Sequence, residues 1–307
     1  MKRRTALRLT AALPLAAAGA ACATPAAATA PAATSEDTFR HNFAPHEGMF
    51  HHHAGEDILD QIRFAHERGF RAWEDNGMRA RSPALQTKIG NLLAKNDMTM
   101  GVFVANDIDW QKPTLTLGPG EHQDAYLAAL RDSVEVAKRC NAKWVTVVPG
   151  VLDHRQEPML QFANLVDTLR RGAEILEPHG LVAVLEPLNF RDHPSLFLTK
   201  ATQAYAICRA VDSPSCKILF DVYHQQIQEG NLIPNIEAVW DEIAYFQLGD
   251  NPGRKEPTTG EINYGNVLRF TADKGFDGVY GMEHGNSQAG KAGELAIIAA
   301  YRRVDLG

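Results

Sequence analysis

The feature that most constrains this chain is an eightfold alternation of short apolar runs with longer amphipathic stretches, beginning near residue 42. The stretches between the runs place apolar residues at i, i+3, i+4 and i+7, which is the spacing of helices that pack on a core. Nearly continuous apolar strands that alternate with helices indicate a parallel sheet covered on both faces. The predicted strands are 42–46, 70–75, 99–105, 143–150, 181–189, 217–223, 243–250 and 278–285.

Eight such units over about 260 residues predict an α/β fold of the (β/α)8 TIM-barrel type, because that fold has the matching size. A doubly wound open sheet is the alternative. It is disfavoured because no GxGxxG motif follows the first strand and the sequence contains no P-loop motif. We therefore expect residues 36–307 to form a single TIM-barrel domain.

Residues 1–35 differ in composition from the rest of the chain. They begin with basic residues, continue through a short Ala/Leu run and end in Ala/Pro/Thr-rich sequence, which is typical of an export signal and a linker. Arg3 and Arg4 give the signal a twin-arginine character, and the apolar run is too short for a membrane span. We expect a periplasmic or otherwise exported protein. An ordinary secretory signal and lipid anchoring at Cys22 are the alternatives, and the second lacks the usual large aliphatic residue three positions earlier.

The charge of the chain argues against a nucleic-acid partner. The formal net charge is −6, and cleavage after residue 35 would remove four cations and no acid, leaving −10. Binding to phosphates requires clustered Lys and Arg, which an acidic chain lacks. The mature part keeps Cys140, Cys208 and Cys216 without metal-ligand spacing, so buried thiols with at most one disulfide are expected.

Four consecutive predicted strands each end in a residue with a side-chain oxygen. In a TIM barrel the active site lies at the C-terminal ends of the strands, and strands five to eight place there Glu186, Asp221, Gln247 and Glu283. A carboxylate behind an apolar run is costly to desolvate unless it is paired. Three carboxylates and one amide oxygen suit Mg²⁺ or Mn²⁺, with Zn²⁺ and Co²⁺ as alternatives, so we predict a divalent-cation site. The alternative is that these acids pair with Arg or Lys at the rim.

Further polar or aromatic residues near the strand ends are candidates for substrate contacts. Asn189, His224 and Arg254 follow strands five to seven, and an Arg beside a metal can grip a carboxylate or hydroxyl groups. The alternative for His224 and Arg254 is a His that only orients Asp221 and an Arg on the surface. His46 and Trp73 lie at the ends of strands one and two, where Trp73 would stack on a sugar face or pack in the core.

The run His51, His52 and His53 follows strand one. Consecutive residues rarely converge on one metal ion, so we expect a rim loop there, with substrate contact as the alternative.

The segments LEPLNFRDHP, LFDVYHQQ, FQLGDNPGRKEPTTGEINYG and GMEHG resemble successive motifs of the hydroxypyruvate isomerase family, within the xylose isomerase-like TIM barrel superfamily. The resemblance runs from about residue 41 to the C-terminus and is strongest after residue 180. Its most specific element is PGRxEPxTGEINY at residues 252–264. The ligand order Glu, Asp, Gln, Glu alone is shared by many sugar isomerases and epimerases.

The resemblance implies that Glu186, Asp221, Gln247 and Glu283 are the metal ligands, and that Glu186 and Glu283 also move a proton between adjacent carbons. It implies substrate contacts for His224 and Arg254.

Residues 252–265 are expected to close over a polar ligand beside the metal. Glu256 is placed with the substrate-binding residues of this loop; Glu256 and Glu261 are expected to order the rim segment or a subunit contact. Asn263 and Tyr264 are expected to begin the next helix.

These features predict a divalent-metal-dependent isomerase or epimerase that acts through an enediolate on a small hydroxy-carbonyl compound or carbohydrate, without an organic cofactor. A metal-dependent lyase or hydratase acting on a 3-keto sugar or glycoside is one alternative, and a noncatalytic periplasmic sugar-binding barrel is another. An apurinic endonuclease is disfavoured by the acidic charge. Export departs from the cytoplasmic metabolism served by the family's namesake reaction, so the substrate stays open, as does a homo-oligomeric state.

Overall fold

The computed structural model describes residues 38–305, so the predicted export signal with Arg3, Arg4 and Cys22 lies outside the described residues. The strands are short and lie where the apolar runs predicted them. They are β1 (Asn42–Ala44), β2 (Ala72–Trp73), β3 (Thr99–Met100), β4 (Trp144–Val147), β5 (Val182–Leu185), β6 (Cys216–Asp221), β7 (Ile243–Gln247) and β8 (Val279–Gly281).

Helices separate the strands. They are α1 (His51–Ala54), α2 (Ile58–Glu67), α3 (Pro83–Lys95), α4 (Glu121–Cys140), α5 (Pro158–Leu176), α6 (Ala201–Val211), α7 (Val222–Gln228), α8 (Leu232–Ala238), α9 (Tyr264–Asp273) and α10 (Gly290–Val304). We expected a rim loop at the three consecutive histidines, but these residues form the short helix α1.

The strands close into a parallel barrel in chain order. Six of them form a sheet in the order β1-β8-β7-β6-β5-β4, and β2 pairs with β3. Two parallel bridges join the pieces, one between His46 and Glu74 and one between Val104 and Thr146. At these joints the Glu74 N–H donates to the Pro45 carbonyl and the Ala105 N–H donates to the Thr146 carbonyl, each at 3.0 Å. This topology confirms the predicted TIM barrel.

The interior of the barrel is filled by small and branched side chains around one large one. Ala44, Ala72, Val102, Val184, Leu219, Tyr245 and Val279 form this interior cluster. Gly101 leaves the space that Tyr245 takes, since a Cβ on Gly101 would lie 2.4 Å from the Tyr245 hydroxyl. Side chains alternate along a strand, so Ala72 faces the interior and Trp73 faces the helices.

The paired part of each strand is shorter than its apolar run. In the predicted strand 99–105, only Thr99 and Met100 belong to β3, and the rest joins β4 through the single bridge at Val104. The apolar run continues because the segment beyond the paired residues is still buried at the barrel rim. An apolar run indicates that a segment is buried, whereas a strand includes only the residues whose backbones pair with a neighbouring strand.

Helix boundaries follow from local hydrogen bonds. The Asp57 carboxylate caps α2 by accepting from the Leu59 N–H at 2.8 Å, and Ser82 caps α3. Asp221 ends β6 and also caps α7, because its Oδ1 accepts from the His224 N–H at 3.1 Å. The last residue of one strand thereby fixes the start of the helix that carries His224.

Cys140, Cys208 and Cys216 are free and buried, as expected. Among residues 38–305, no helix has the length and apolar character that a membrane crossing requires.

Candidate active site

The four predicted ligands converge at one rim of the barrel. Asp221 and Gln247 end β6 and β7 and are direct register partners, while Glu186 and Glu283 follow β5 and β8 by one and two residues. Asp221 and Gln247 are buried, Glu186 is 7% exposed, and the Glu283 side chain is 27% exposed. Neighbouring parallel strands end at the same edge, so residues far apart in sequence meet here.

Arg254 is the cation that reaches these acids. Its Nη2 lies 2.9 Å from Glu283 Oε2 and 3.5 Å from Asp221 Oδ2, and its Nε donates to the Glu283 carbonyl at 3.1 Å. Its guanidinium lies over the Tyr223 ring, 5.0 Å from the centroid. Burial alone would lower the pKa of Arg254, but the carboxylates of Glu283, Asp221 and Glu186 outweigh it and raise that pKa.

The acids carry more negative charge than Arg254 balances. Burial, followed by repulsion from Glu283 and Asp221, raises the pKa of Glu186 well above its usual value. Burial also raises the pKa of Glu283 to about 7, against the lowering effect of Arg254. Carboxyl groups that resist ionisation in this way are those that a bound cation would return to the charged form.

Glu74 lies at the end of predicted strand two, and it is a site residue to which the sequence patterns assigned no role. It lies beneath the predicted ligands, where Oε2 accepts from the Tyr245 hydroxyl at 2.7 Å and Oε1 accepts from Gln247 Nε2 at 2.9 Å. Burial and the charge of Glu283 raise the pKa of Glu74 to about 8. Its signal in the sequence is alternation, because Ala72 facing the interior requires Glu74 to face it as well.

Gln247 is left with an amide oxygen that is buried and has no hydrogen-bond partner. Its amide nitrogen is held by Glu74, which fixes the orientation of the group. A buried polar atom without a partner is costly and marks a place for a ligand or water.

Asn189 fixes the tautomer of His224. Its backbone N–H at 3.3 Å and its Nδ2 at 2.7 Å both approach His224 Nδ1. The orientation of the Asn189 amide is secured because its Oδ1 accepts from the backbone N–H groups of Arg191 and Asp192. Nδ1 of His224 therefore accepts, and in the neutral ring Nε2 carries the hydrogen.

His224 Nε2 points toward the acids. It is buried without a hydrogen-bond partner and lies 3.6 Å from Asp221 Oδ2. Burial lowers the pKa of His224 to about 4, so the ring is neutral near pH 7. Glu186, Asp221 and His224 place one ligand atom each within 4.8 Å of one another. With its hydrogen on Nε2, His224 directs a hydrogen-bond donor toward the acids; the predicted substrate contact stays a prediction.

His46 lines the cavity beside these groups. A cavity of about 240 Å³ is bordered by His46, Glu47, Glu74, Asp75, Asn76 and Glu283. Asn76 also contacts the site directly, since its Nδ2 donates to Glu283 Oε1 at 3.2 Å. Asn76 was missed because it follows a two-residue strand and stands in a turn.

Three predicted substrate contacts need correction. Trp73 is fully buried in the core between barrel and helices, on the opposite side of β2 from Glu74. Glu256 is 2% exposed and accepts from the backbone N–H and hydroxyl of Ser287, so it anchors the loop and does not face the cavity. The polar atoms of Asn189 are all used within the protein, and Asn189 positions His224.

Asp250 folds the loop that carries Arg254. Its buried carboxylate accepts from the backbone N–H groups of Asn251, Gly260 and Ile262 at 2.9–3.1 Å. Gly260 is required there, because a Cβ would lie 2.2 Å from the Asn251 carbonyl oxygen.

The far end of the loop begins the next helix, as predicted. Asn263 caps α9, and the Tyr264 hydroxyl donates to the Gly249 carbonyl at 2.7 Å. Glu261 accepts from Asn251 Nδ2 at 2.6 Å and thus orders the loop from its outer side.

A parallel (β/α)8 barrel with carboxylates around one Arg at the C-terminal ends of its strands has this cluster where TIM-barrel enzymes carry their active sites. The chain belongs to the xylose isomerase-like TIM barrel family, whose sequence profile matches residues 62–302.

Two curated relatives agree with the resemblance to the hydroxypyruvate isomerase family. The chain is 28% identical over 255 residues to the 2-oxo-tetronate isomerase of Cupriavidus necator, covering 82% of this chain and 95% of the relative. It is 35% identical over 140 residues to the hydroxypyruvate isomerase of Escherichia coli, covering 46% of this chain and 54% of the relative. The second match spans only about half of that relative.

Solved structures share the fold. An AP endonuclease of family 2 from Brucella melitensis superimposes with a TM-score of 0.74 at 23% identity, covering 85% of this chain and 98% of that one. A 3-keto-D-glucoside 4-epimerase from E. coli has a TM-score of 0.69 at 16% identity, covering 86% and 99%. At these identities the likeness concerns the fold alone.

Proposed function

We propose that this protein is a divalent-metal-dependent isomerase or epimerase that moves a proton within a small hydroxy-carbonyl compound or carbohydrate through an enediolate. The observation that carries the proposal is the meeting of the buried Glu186 and the partly buried Glu283 with an unpartnered amide oxygen on Gln247 at the same rim. Two acids with raised pKa values suit a reaction that both removes and returns a proton.

The residues fit a hard cation. Glu186, Asp221, Gln247 and Glu283 would hold it, since they supply three carboxylates and an amide oxygen, the donors that Mg²⁺ and Mn²⁺ prefer. The unpartnered Gln247 oxygen and the excess of acids over Arg254 are what such an ion would satisfy. When bound, the cation polarises the substrate carbonyl and stabilises developing negative charge.

The protein's own groups then have separate tasks. One of Glu186 and Glu283 takes the proton from the carbon beside the carbonyl, and the same or the other acid returns it. With the cation in place these carboxyls would be ionised, which is the state that a general base needs before it takes a proton. The Nε2–H of His224 donates to a substrate oxygen, and Arg254 binds a carboxylate or hydroxyl of the substrate.

The names of the two relatives narrow the class of substrate to be tested. Both are named for compounds that combine a carbonyl, a hydroxyl and a carboxylate, which matches a site holding acids for proton transfer and an Arg for an anion. A short hydroxy-carbonyl acid is therefore the first reacting group to test.

The test combines metal content with hydrogen exchange. Purified mature protein is assayed for bound metal, then incubated in D₂O with hydroxypyruvate and 2-oxo-tetronate while NMR follows deuterium at the carbon beside the carbonyl. We expect exchange that is lost in Glu283→Gln and metal that is lost in Asp221→Asn. Asp167→Asn, an exposed acid on α5, is the matched control. Unchanged metal content in Asp221→Asn would contradict the metal site.

A metal-dependent lyase acting on a 3-keto glycoside is the second candidate. It would use the same base and enediolate and then expel a substituent. An open groove of about 590 Å³, bordered by Trp110 and Pro194, favours it because a short acid would leave that space unused. Release of a free alcohol or sugar, followed by NMR, separates elimination from isomerisation.

We also infer export by the twin-arginine route from the first 35 residues. Replacing Arg3 and Arg4 with Lys is expected to retain the protein in the cytoplasm, as fractionation and N-terminal sequencing would show.

A further inference from the structure

Trp110 is a large aromatic side chain that the fold leaves uncovered. It lies in the segment between β3 and α4, and it is 47% exposed. Its indole stacks on the ring of His193, with centroids 4.9 Å apart and planes inclined by 27°. His193 belongs to the segment between β5 and α6, so two different rim loops meet at this pair. Only one face of the indole is covered by His193, and the residue remains nearly half exposed.

The Trp110 and His193 pair is continuous with the candidate active site. The His193 ring lies 5.5 Å from the His224 ring, and His224 Nε2 lies 3.6 Å from Asp221 Oδ2. Burial lowers the pKa of His193, and the charges of Arg254 and Asp221 act on it as well. His193 thus lies between His224 and Trp110, so the indole stands at the outer end of a row of three rings that begins in the candidate active site.

Trp110 also borders the polar groove of about 590 Å³, whose lining includes Gln111, Asp153, His154, Arg155 and Ser195. This volume lies within the roughly 300–1,000 Å³ of small-molecule sites. The groove combines an aromatic face with hydrogen-bond donors and acceptors. A pyranose ring has the complementary surface, because its C–H face is apolar and its edge carries hydroxyl groups.

The groove walls are held by backbone pairing. Val151 and Leu196 form an antiparallel bridge, and the Leu152 N–H donates to the Ser195 carbonyl at 2.8 Å. Asp153 is buried, and its carboxylate accepts from the Arg155 N–H at 3.0 Å. The backbone N–H of Asp153 donates to Gln161 Oε1 at 2.9 Å. These contacts give the groove a defined shape.

We propose that Trp110 and the adjoining groove form a sugar-ring subsite, so that the substrate class is a glycosylated or ring-extended hydroxy-carbonyl compound. The reacting part sits at Glu186 and Glu283, and the attached ring stacks on Trp110. This inference rests on the proposed function for the reaction, but the subsite binds a sugar without it.

The first experiment measures binding alone. Metal-free protein is mixed with cellobiose, maltose or trehalose, and saturation-transfer NMR records signals on the ring protons. At least one disaccharide is expected to bind the unaltered protein. Trp110→Ala should weaken this binding about fivefold to tenfold, in line with the strength of aromatic stacking. Trp110→Phe should retain most of it. Leu295→Ala removes a side chain of similar exposure, 46%, from α10 and should bind normally.

The second experiment measures turnover of a 3-keto disaccharide and of 2-oxo-tetronate. Trp110→Ala should raise KM for the disaccharide far more than for the short acid, with little change in kcat. Absence of disaccharide binding to the unaltered protein would overturn the subsite, as would equal losses for both substrates. Disaccharide binding that depends on Trp110, without turnover or exchange of any substrate, would leave the subsite standing and refute the proposed reaction.

Discussion

The Gln247 side chain donates through Nε2 to Glu74 Oε1 across 2.9 Å, and its own amide oxygen is buried without a partner. A Gln amide is ambiguous in orientation unless its neighbours decide it. Here Glu74 accepts from the amide nitrogen of Gln247, and the amide oxygen is left available to a ligand in the site. Glu74 is thus the residue that makes Gln247 an oxygen ligand.

Replacing Glu74 tests this relationship. Glu74→Gln presents an amide that can offer N–H groups to Gln247 and no longer selects its nitrogen, so we expect weaker metal binding by about 10-fold to 100-fold, typical for a residue that orients a ligand. Titration calorimetry with Mn²⁺ measures the change.

The matched control is Glu242→Gln. Glu242 is also buried and acidic, but it stands at the start of β7 and pairs with Lys217 at 2.5 Å. Its replacement should lower stability and leave Mn²⁺ affinity in place. Equal affinity losses in both variants would show that Glu74 acts only through folding.

The stability of the metal-free protein should fall as pH rises. The pKa values of Glu74 and Glu283 are raised to about 8 and about 7, whereas burial lowers those of His224 and His284 to about 4 and about 3. The histidines are neutral in both states above their ordinary pKa of about 6.5, so between about pH 6.5 and 8 the two acids make the folded chain bind more protons than the unfolded chain. Folding stability therefore decreases across that window, since it decreases wherever the native state holds the extra protons.

A bound divalent cation should oppose this loss of folding stability as pH rises. It binds the ionised acids, so its stabilising effect should be larger at pH 8 than at pH 6. Melting temperatures with EDTA and with Mn²⁺ across pH 5–9 measure both effects. A metal-free melting temperature that rises from pH 6.5 to pH 8 would contradict the charge excess in this site.

The arrangement of the barrel was predictable from sequence to a large extent, because burial on both faces of a parallel sheet forces apolar runs. Glu186, Asp221, Gln247 and Glu283 follow such runs, and each was located at its strand end. The strand bounds were less predictable, since residues such as Val102 and Phe103 are buried without continuous ladder pairing.

The misplaced residues have a common physical origin. Trp73 and Glu74 are adjacent in sequence, and a two-residue strand gives too short a pattern to assign their opposite faces. Glu256 lies in a loop whose path depends on the bond from Asp250 to Lys255 and on the contact of Glu256 with Ser287, and periodicity reports neither of them. The role of Asn189 could not be predicted, because it depends on which ring nitrogen of His224 the Asn189 side chain contacts.

The tautomer of His224 gives a spectroscopic prediction. Both donors of Asn189 meet Nδ1, so we expect the Nε2–H form at pH 7, visible in ¹⁵N chemical shifts of the ring. Asn189→Ala removes the side-chain donor and should produce a mixture of tautomers, with a lower kcat. Asn189→Asp is informative beside it, because a carboxylate at Nδ1 favours the opposite tautomer and should lower kcat further. A ring that stays in the Nε2–H form in both variants would assign no positioning role to Asn189.

The loop that carries Arg254 should fail when Asp250 is replaced. Asp250→Ala leaves the N–H groups of Asn251, Gly260 and Ile262 without their acceptor, and each buried unsatisfied group costs about 1–3 kcal/mol. Water can reach the partly exposed Asn251 and the exposed Gly260, whereas Ile262 is buried, so we expect a net loss of about 2 kcal/mol in the free energy of unfolding, measured by urea denaturation. Asp250→Asn keeps one acceptor oxygen and should lose less stability.

The same replacement should affect substrate binding. The Asp250 N–H also donates to the Lys255 carbonyl at 2.7 Å, so distortion there displaces Arg254. KM for an anionic substrate should therefore rise more than kcat falls. A destabilised Asp250→Ala protein with an unchanged KM at a temperature where it is fully folded would show that Arg254 reaches Glu283 without help from this loop.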